Sequence, residues 1–570
     1  MPGFFVSNQQ VNIVLQNRFP ERCVAEERKA TGITCKRNTL NKFMRDKALF
    51  ENDDFLIVQE GYLLNKQELF DTYQVSSVEN LIQTMYQEKG EQFFARFRGA
   101  FSGAVYDKKQ DKWLIYTNHT GDKAVFYALQ DGSFVAGSQV NYVLDACKEM
   151  GCPLTFDEQA AYQMLTFGFM ESNSTYAKEI KRLRGGTYLR IVNGKAEVCE
   201  YHRFEKDPAH FAGKTEDEIL DVLDAEFRRA VELAYRKDTE YDYRHLADIS
   251  GGLDSRMNMW VAHELSEKHL QLLTYSKGNY LDEMIAKEIA AHWKDEILAK
   301  QLDDASFLYD IDEIVALNGG LSLYSGITGG KRMLESLNMD LYGLEHTGQL
   351  GDVLIGSYIS TSDGLEKRIP TGRYSNVLAN RLNGSFTNMF ADHELYLMYV
   401  RGFNGILNTH QIRDNYTEVS SPFLDTEFLQ LCMDIPLELR MNHKLYYQWI
   451  LKKYPAAAAF KWEKTGSKIS EPGWWVFAKK AIRKGPNKIL TKLKLRKDSA
   501  NGMNPIGYWM AHDEKLLAFL NQYEQEGYAY LPASASATLI EDMKKLYSTG
   551  NGMEKTMVLT VLGASKLYFG

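Results

Sequence analysis

No stretch of about 18 consecutive apolar residues occurs in the 570-residue sequence, so no segment has the length of a membrane-spanning helix. Residues 1–10 show no basic region followed by an apolar run, which reads against a secretory leader. Cysteine is scarce. The six are Cys23, Cys35, Cys147, Cys152, Cys199 and Cys432, and none forms a C-x-x-C pair, so neither a disulfide framework nor a zinc ribbon is expected. An excess of positive charge is missing too. The 67 basic and 75 acidic residues leave a net charge of −8, so no global field draws the chain onto nucleic acid or anionic lipid. What remains is 44% apolar and 25% charged, the composition of a soluble globular chain. The length predicts roughly two to four domains, and the reading is of a cytoplasmic protein.

The first 200 residues read mainly as strands. Phe55 to Val58, Ala100 to Tyr106, Trp113 to Thr117 and Ser133 to Ser138 are rich in β-branched and aromatic residues, with turns such as Lys108 to Asp111 and Asp131-Gly132 between them. Their spacing predicts a β-sandwich or layered sheet rather than a helical bundle. The texture changes between Arg203 and Thr215. Thr215 and Glu218 form a T-x-x-E capping box, and Ile219, Leu223, Phe227, Ala230 and Ala234 follow at helical spacing. A domain boundary is expected there, dividing the chain into 1–205 and 206–570. Beyond it His245 to Ile249 and Leu270 to Tyr275 read as strands, Ser255 to Leu265 and Asp282 to His292 as helices. That alternation predicts a parallel α/β sheet with its ligand at the carboxyl ends of the strands. From about residue 370 the chain reads as mostly helical. Lys479 to Lys497 is strongly basic but interrupted by Ile482, Ile489, Leu493 and Leu495, which favours a packed or solvated helical face over a surface for an anionic partner.

The most informative string, Ala247-Asp248-Ile249-Ser250-Gly251-Gly252-Leu253-Asp254-Ser255-Arg256, starts in an apolar strand and ends in a helix. Adjacent glycines let backbone N–H groups approach an anion, Ser250 and Ser255 add hydroxyls, and the helix N-terminus is partially positive. Asp254 inside such a cradle makes sense where a divalent cation bridges it to phosphate oxygens. The lysine of a Walker loop is absent.

Ser250 to Ser255 resembles the pyrophosphate loop of the asparagine synthetase family, in which ATP adenylates a carboxylate. Thr347-Gly348-Gln349-Leu350-Gly351-Asp352 resembles that family's S-G-E-G-G-D-E motif, and Gly356-Ser357-Tyr358 continues the match. Glu418 to Asp425 resembles its E-x-R-x-P-F-L-D, and Lys444 and Lys464-Thr465-Gly466 its basic C-terminal motifs. In the first half, Gly61 to Asn65 resembles G-E-I-Y-N, Gly99 to Asp107 resembles G-x-F-A-x-x-x-x-D, and Thr187 to Tyr201 the segment closing the glutaminase domain. The resemblance covers nearly the whole chain. It implies an α/β protein: an N-terminal αββα layered domain like the Ntn hydrolases, then a parallel-sheet ATP-pyrophosphatase domain with a mostly helical C-terminal part. It also implies that Asp254 and Asp352 hold magnesium on the pyrophosphate of ATP, and that Lys464, with Lys444, contacts the phosphates. Ile249, Ser250, Gly251, Gly252, Ser255, Tyr275, Thr347 and Gly348 would cradle the nucleotide.

Three departures qualify the resemblance. The family's glutaminase attacks with a cysteine at the mature N-terminus. Here Pro2 is followed by Gly3, Phe4, Phe5 and Val6, and the R-G-P-D segment that binds glutamine is not recognisable, so a glutaminase-like domain without activity is expected. Gln349 stands at the catalytic position where the family has glutamate, and an amide cannot take a proton from an amine. Glu345 and His346 are the nearest titratable candidates, of which strand alternation would aim one toward the cleft. Arg256 replaces a serine or threonine, and reads equally as a phosphate or substrate-carboxylate contact or as a surface residue.

The leading expectation is an ATP- and magnesium-dependent, AMP- and pyrophosphate-forming amide ligase. It would join a small-molecule, peptide or sugar carboxylate to ammonia or an amine. β-Lactam synthetases and lasso-peptide cyclases are relatives that share these losses. No membrane partner is expected, nucleic acid is disfavoured, and a homodimer is left open. The alternative is a degenerate homologue serving as a binding or scaffold protein. An RNA-thiolating enzyme would need cysteines near the loop, and none lies between Cys199 and Cys432.

Overall fold

The computed structural model describes residues 2–30, 32–266, 269–326, 330–359, 372–383, 389–390, 392–471 and 502–570. The basic segment Lys479 to Lys497 lies outside the described residues.

Residues 3–200 build two antiparallel six-stranded sheets. The strands in chain order are β1 (Gly3–Ser7), β2 (Cys23–Ala30), β3 (Ile33–Leu40), β4 (Ala48–Glu51), β5 (Phe55–Leu63), β6 (Gly99–Asp107), β7 (Lys112–Thr117), β8 (Phe126–Gln130), β9 (Ser133–Gly137), β10 (Ile180–Arg182), β11 (Thr187–Val192) and β12 (Lys195–Glu200). The sheets run β10-β8-β9-β1-β3-β2 and β12-β11-β7-β6-β5-β4. Side-chain alternation decides how they stack. Phe4 and Val6 of β1 face Leu56 and Val58 of β5 and Ile115 of β7, making one core between the sheets. Phe5 points the other way, among residues of α3 (Val140–Glu149) and α4 (Glu158–Phe167). Ile57 packs outward with α2 (Val78–Lys89) and α1 (Lys66–Tyr73). The expected sandwich or layered sheet is thus the layered form, αββα.

The capping box at Thr215 and Glu218 opens α5 (Glu216–Glu240), a helix of 25 residues. After it come β13 (Arg244–Asp248), α6 (Asp254–Glu264), β14 (Gln271–Ser276), α7 (Leu281–Trp293), β15 (Glu296–Gln301), α8 (Ile311–Asn318) and β16 (Tyr342–His346). These strands form a parallel sheet in the order β15-β14-β13-β16-β17, where β17 is only Val419–Ser420. That edge strand stands within a later chain that is otherwise helical among the described residues, as the mostly helical reading expects. It survives at two residues because it pairs Val419 and Ser420 with Glu345 and His346. The order reverses at β13, which places the ligand crevice beyond the carboxyl ends of β13 and β16.

The two halves share interior. The core holding Phe5 and Val143 also holds Ile311 and Val315 of α8 and Val558 and Leu562 of the helix Gly552–Phe569. Charged ties cross the same boundary. Arg98 donates to both oxygens of Asp425, at 2.9 and 2.6 Å, and Lys123 pairs with Asp414 at 2.9 Å. Lys42 donates to the Met339 carbonyl at 2.9 Å and the Thr417 hydroxyl at 2.8 Å. Among the described residues, no helix is long and apolar enough to cross a membrane.

Candidate active site

The loop after β13 closes on itself. Ile249 N–H still donates to Leu273 O at 2.8 Å, extending the ladder one residue past the strand. Then Ser250 N–H donates to Ser255 Oγ and Gly252 N–H to Ser250 Oγ, both at 3.1 Å, while Gly251 N–H donates to the Asp282 carboxylate. α6 begins at Asp254, so its partially positive end meets this turn. A carboxylate oxygen on Gly251 N–H shows that the loop directs a donor at negative charge. Burial pushes Asp282 up to about 6, with the Gly251 bond opposing and the charge of Glu463 adding. Ile249, Ser250, Gly252, Asp254, Ser255, Tyr275, Thr347, Gly348 and Gln349 all line one cleft of about 250 Å³.

Asp254, which lines this cleft, is in contact with Asp352. Asp352 N–H donates to Asp254 Oδ2 at 3.0 Å, Tyr446 OH to Asp254 Oδ1 at 2.7 Å, and Ser357 OH to Asp352 Oδ2 at 2.6 Å. Burial first, and the charge of Asp352 second, push the Asp254 carboxyl up to about 7. A buried carboxylate whose ionisation is opposed by a second carboxylate nearby is a donor set that a hard divalent cation relieves, so these residues fit magnesium. Close approach here requires glycine. A Cβ on Gly348 would lie 2.2 Å from Ser255 N, and one on Gly351 2.6 Å from Asp254 Cγ. Lys464 is exposed, its ammonium 5.3 Å over the Trp462 ring, and its charge acts to lower Asp254.

Other residues depart from the sequence reading. Lys444 turns to Glu216, at 2.5 Å and exposed, rather than to the cleft, because it opens a helix whose outer face runs along the acidic start of α5. Arg256 is neither a phosphate contact nor a surface group. It is 0% exposed and donates to the carbonyls of Ala457 at 3.1 Å, Phe460 at 3.4 Å, Gly251 at 3.3 Å and Lys461. The first residues after the loop are thereby stapled to the segment leading to Lys464. Glu345 and His346 are both buried. Glu345 is tied to Arg413, which also reaches Asp248 at 3.1 Å and Tyr275 OH at 2.9 Å. His346 bonds Asp238 at 2.7 Å and stacks on Tyr235, so neither residue hangs free in the cleft. Gln349 instead meets His410 through its Oε1. Asp282, His410, Arg413 and Tyr446 were not singled out from the sequence as site residues. The acidic start of α7 just past β14 was the one local signal for Asp282.

The first-half motifs mostly anchor the second half. Tyr62 OH donates to Val419 O at 2.8 Å, and Glu418 of the E-V-S-S-P-F-L-D string is clasped by Lys123, with Lys47 at 3.5 Å. At the start of β1, a Cβ on Gly3 would lie 1.8 Å from Ser138 Oγ. Burial pushes the Cys23 thiol up to about 11 and the Cys35 thiol up to about 12, far from the thiolate a nucleophile needs.

Residues 46–202 match the family model of the glutamine amidotransferase domain. Asparagine synthetase [glutamine-hydrolyzing] 2 of Bacillus subtilis is 24% identical over 286 residues, 48% of this chain and 36% of that protein. Asparagine synthetase B [glutamine-hydrolyzing] of Escherichia coli is 24% identical over 225 residues, 38% of this chain and 34% of that one. The chain therefore spans about a third of the length of the curated relatives it matches. Among solved structures, the glutamine phosphoribosylpyrophosphate amidotransferase of B. subtilis is similar over 53% of this chain and 75% of its own, at 9% identity and a TM-score of 0.21. Residues 46–202 are thus similar to a glutamine amidotransferase domain, and parts of the chain are similar to glutamine-hydrolysing asparagine synthetases.

Proposed function

We propose that this chain is an ATP- and magnesium-dependent amide ligase. It activates a carboxylate with release of pyrophosphate and passes the acyl group to an amine or ammonia with release of AMP, without hydrolysing glutamine. The observation that carries this reading is the pair Asp254 and Asp352, joined by the bond from Asp352 N–H to the Asp254 carboxylate beyond the carboxyl ends of β13 and β16. Asp254 and Asp352 would hold the magnesium, which when bound draws charge from phosphate oxygens and eases departure of pyrophosphate. Ser250, Ser255 and the start of α6 orient the phosphates. Lys464 offsets negative charge at the cleft mouth, and Tyr446 and Ser357 fix the two carboxylates by donating to them. Gln349 positions the acyl group and does not act as a base.

Nitrogen from free ammonium or an amine is supported by the thiols, since Cys23 and Cys35 are both held protonated by burial. The test is a screen of carboxylates with ammonium and simple amines, reading AMP, pyrophosphate and product mass, alongside an assay for glutamate release from glutamine. Glutamate release abolished by thiol alkylation would refute the nitrogen source. Failure of the protein to bind ATP in the presence of magnesium, by calorimetry, would refute the ligase reading as a whole.

A further inference from the structure

Gln349 is held by a chain of hydrogen bonds that begins in the N-terminal half. Asp122, in the loop between β7 and β8, is buried and accepts at Oδ1 from Asn118 Nδ2 and Thr120 OH, both at 2.5 Å. Its Oδ2 faces His410 Nδ1 at 3.1 Å. His410 is 1% exposed, and its Nε2 meets Gln349 Oε1. The amide orientation is fixed on its other side. Thr409 OH donates to Ile406 O at 2.8 Å, so toward Gln349 it can only accept, and Gln349 Nε2 reaches it at 3.4 Å. With the amide so placed, a proton on Nε2 satisfies Gln349 and one on Nδ1 satisfies Asp122.

The groups facing the imidazole pull in opposite directions. Burial holds the imidazole below its ordinary value, the charges of Arg413 and Lys123 act the same way, and the hydrogen bond and charge of Asp122 oppose them. Asp122 is itself held ionised, well below the usual carboxylate range, by His410, Thr120 and Asn118 against its burial. Were the ring neutral and protonated on Nδ1, Nε2 would become an acceptor. Gln349 would then turn its NH2 to the ring and present its carbonyl elsewhere. With the ring charged, the carbonyl of Gln349 is consumed, and the amide can offer the cleft only N–H.

We propose that Asp122 and His410 are positioning residues that commit the Gln349 amide to donate toward the acyl oxygen in the cleft, so that the N-terminal half completes the acyl-transfer site. This rests on the ligase reading for the identity of the acyl group, but the relay itself does not. A donor aimed at an oxygen that gains negative charge during acyl transfer stabilises that charge, whereas a carbonyl there would repel it. It also gives the glutaminase-like half a task independent of glutamine: to supply the carboxylate that orients a histidine 288 residues away.

The test uses the full chain labelled with 15N-histidine. The resonance lost in His410→Asn identifies the ring, and its titration is followed by NMR. Asp122→Asn is expected to lower its midpoint by about 1–3 pH units, and Gln349→Glu, which places a carboxylate at Nε2, to raise it by a similar amount. Either folded variant leaving the midpoint unmoved overturns the relay. If Asp122→Asn does not fold, Gln349→Glu decides alone. Once an AMP-releasing carboxylate is known, Asp122→Asn should lower kcat about tenfold or more with KM for ATP unchanged. An equal loss in ATP binding would mean that Asp122 serves only the fold. The titration needs no turnover, so a ligase reading that fails leaves it standing as a separate result.

Discussion

Replacing Arg256 by methionine keeps most of the buried volume and removes every donor of the guanidinium. Four carbonyls lose a partner: Ala457, Phe460 and Lys461 from the segment before Lys464, and Gly251 from the phosphate loop. Among the described residues Arg256 has no carboxylate partner, so its contribution comes from these charge-assisted bonds. Bonds of that kind contribute about 1.5–3 kcal/mol each, less where they are long, as two of these are. Leaving buried carbonyls without a donor costs about 1–3 kcal/mol each, so a total of about 3 kcal/mol or more is expected. The loss should fall on the clasp between loop and segment, because these four hydrogen bonds all lie within it. At a factor of ten for each ~1.4 kcal/mol, opening of that region becomes about 100-fold or more easier. Hydrogen exchange read by mass spectrometry measures this directly. Peptides covering 249–253 and 457–464 should lose protection to that extent, while peptides of α1 and α2 remain as in the parent. Arg256→Lys, a point donor without the planar fork, should recover less than half of the protection. Unchanged exchange in both regions would show that the guanidinium contacts contribute nothing, and the stapling argument would fall.

Three further outcomes follow from the site. Asp352→Asn should reduce exchange of labelled pyrophosphate into ATP by about 100-fold, in line with the loss of comparable electrostatic groups, and parental rates would contradict the metal assignment. With chelator present, the raised carboxyl of Asp254 favours the folded chain below about pH 4, and this contribution is lost as the pH rises toward about 7. Asp254→Asn should therefore melt higher than the parent at pH 8 but not at pH 4, and magnesium should stabilise the parent chiefly at the higher pH. Lys444→Ala should alter activity and melting little, because its ion pair with Glu216 is exposed; a large loss of turnover would return Lys444 to the phosphates.

What the sequence disclosed is what is local. The strand–loop–helix at Ala247 to Arg256 and the capping box at Thr215 and Glu218 depend on neighbours a few residues apart, and both elements stand where spacing places them. Arg256 could not be read that way, since its partners at Ala457 to Lys461 lie about 200 residues downstream. His410 and Asp122 carry no pattern of their own, and only the packing of the two halves brings them together. β17 was hidden for a related reason. Two residues have no periodicity, and they become a strand only when β16 supplies the ladder. Gln349 was legible as a departure, but the partner that gives the departure meaning was not.

The helix Gly552–Phe569 lies against α4 and α8, and Val558 and Leu562 complete a core begun by Phe5. This closure sets an order of events during synthesis. Until the last of these residues leaves the ribosome, the outer apolar side of α3 and α4 has no cover, so the first half emerges early and finishes late. Contacts that far apart in sequence slow folding and leave sticky surface exposed meanwhile. The nascent chain is thus a natural client for chaperones that hold apolar surface, and cutting it near residue 205 would release two pieces that each lack part of one interior.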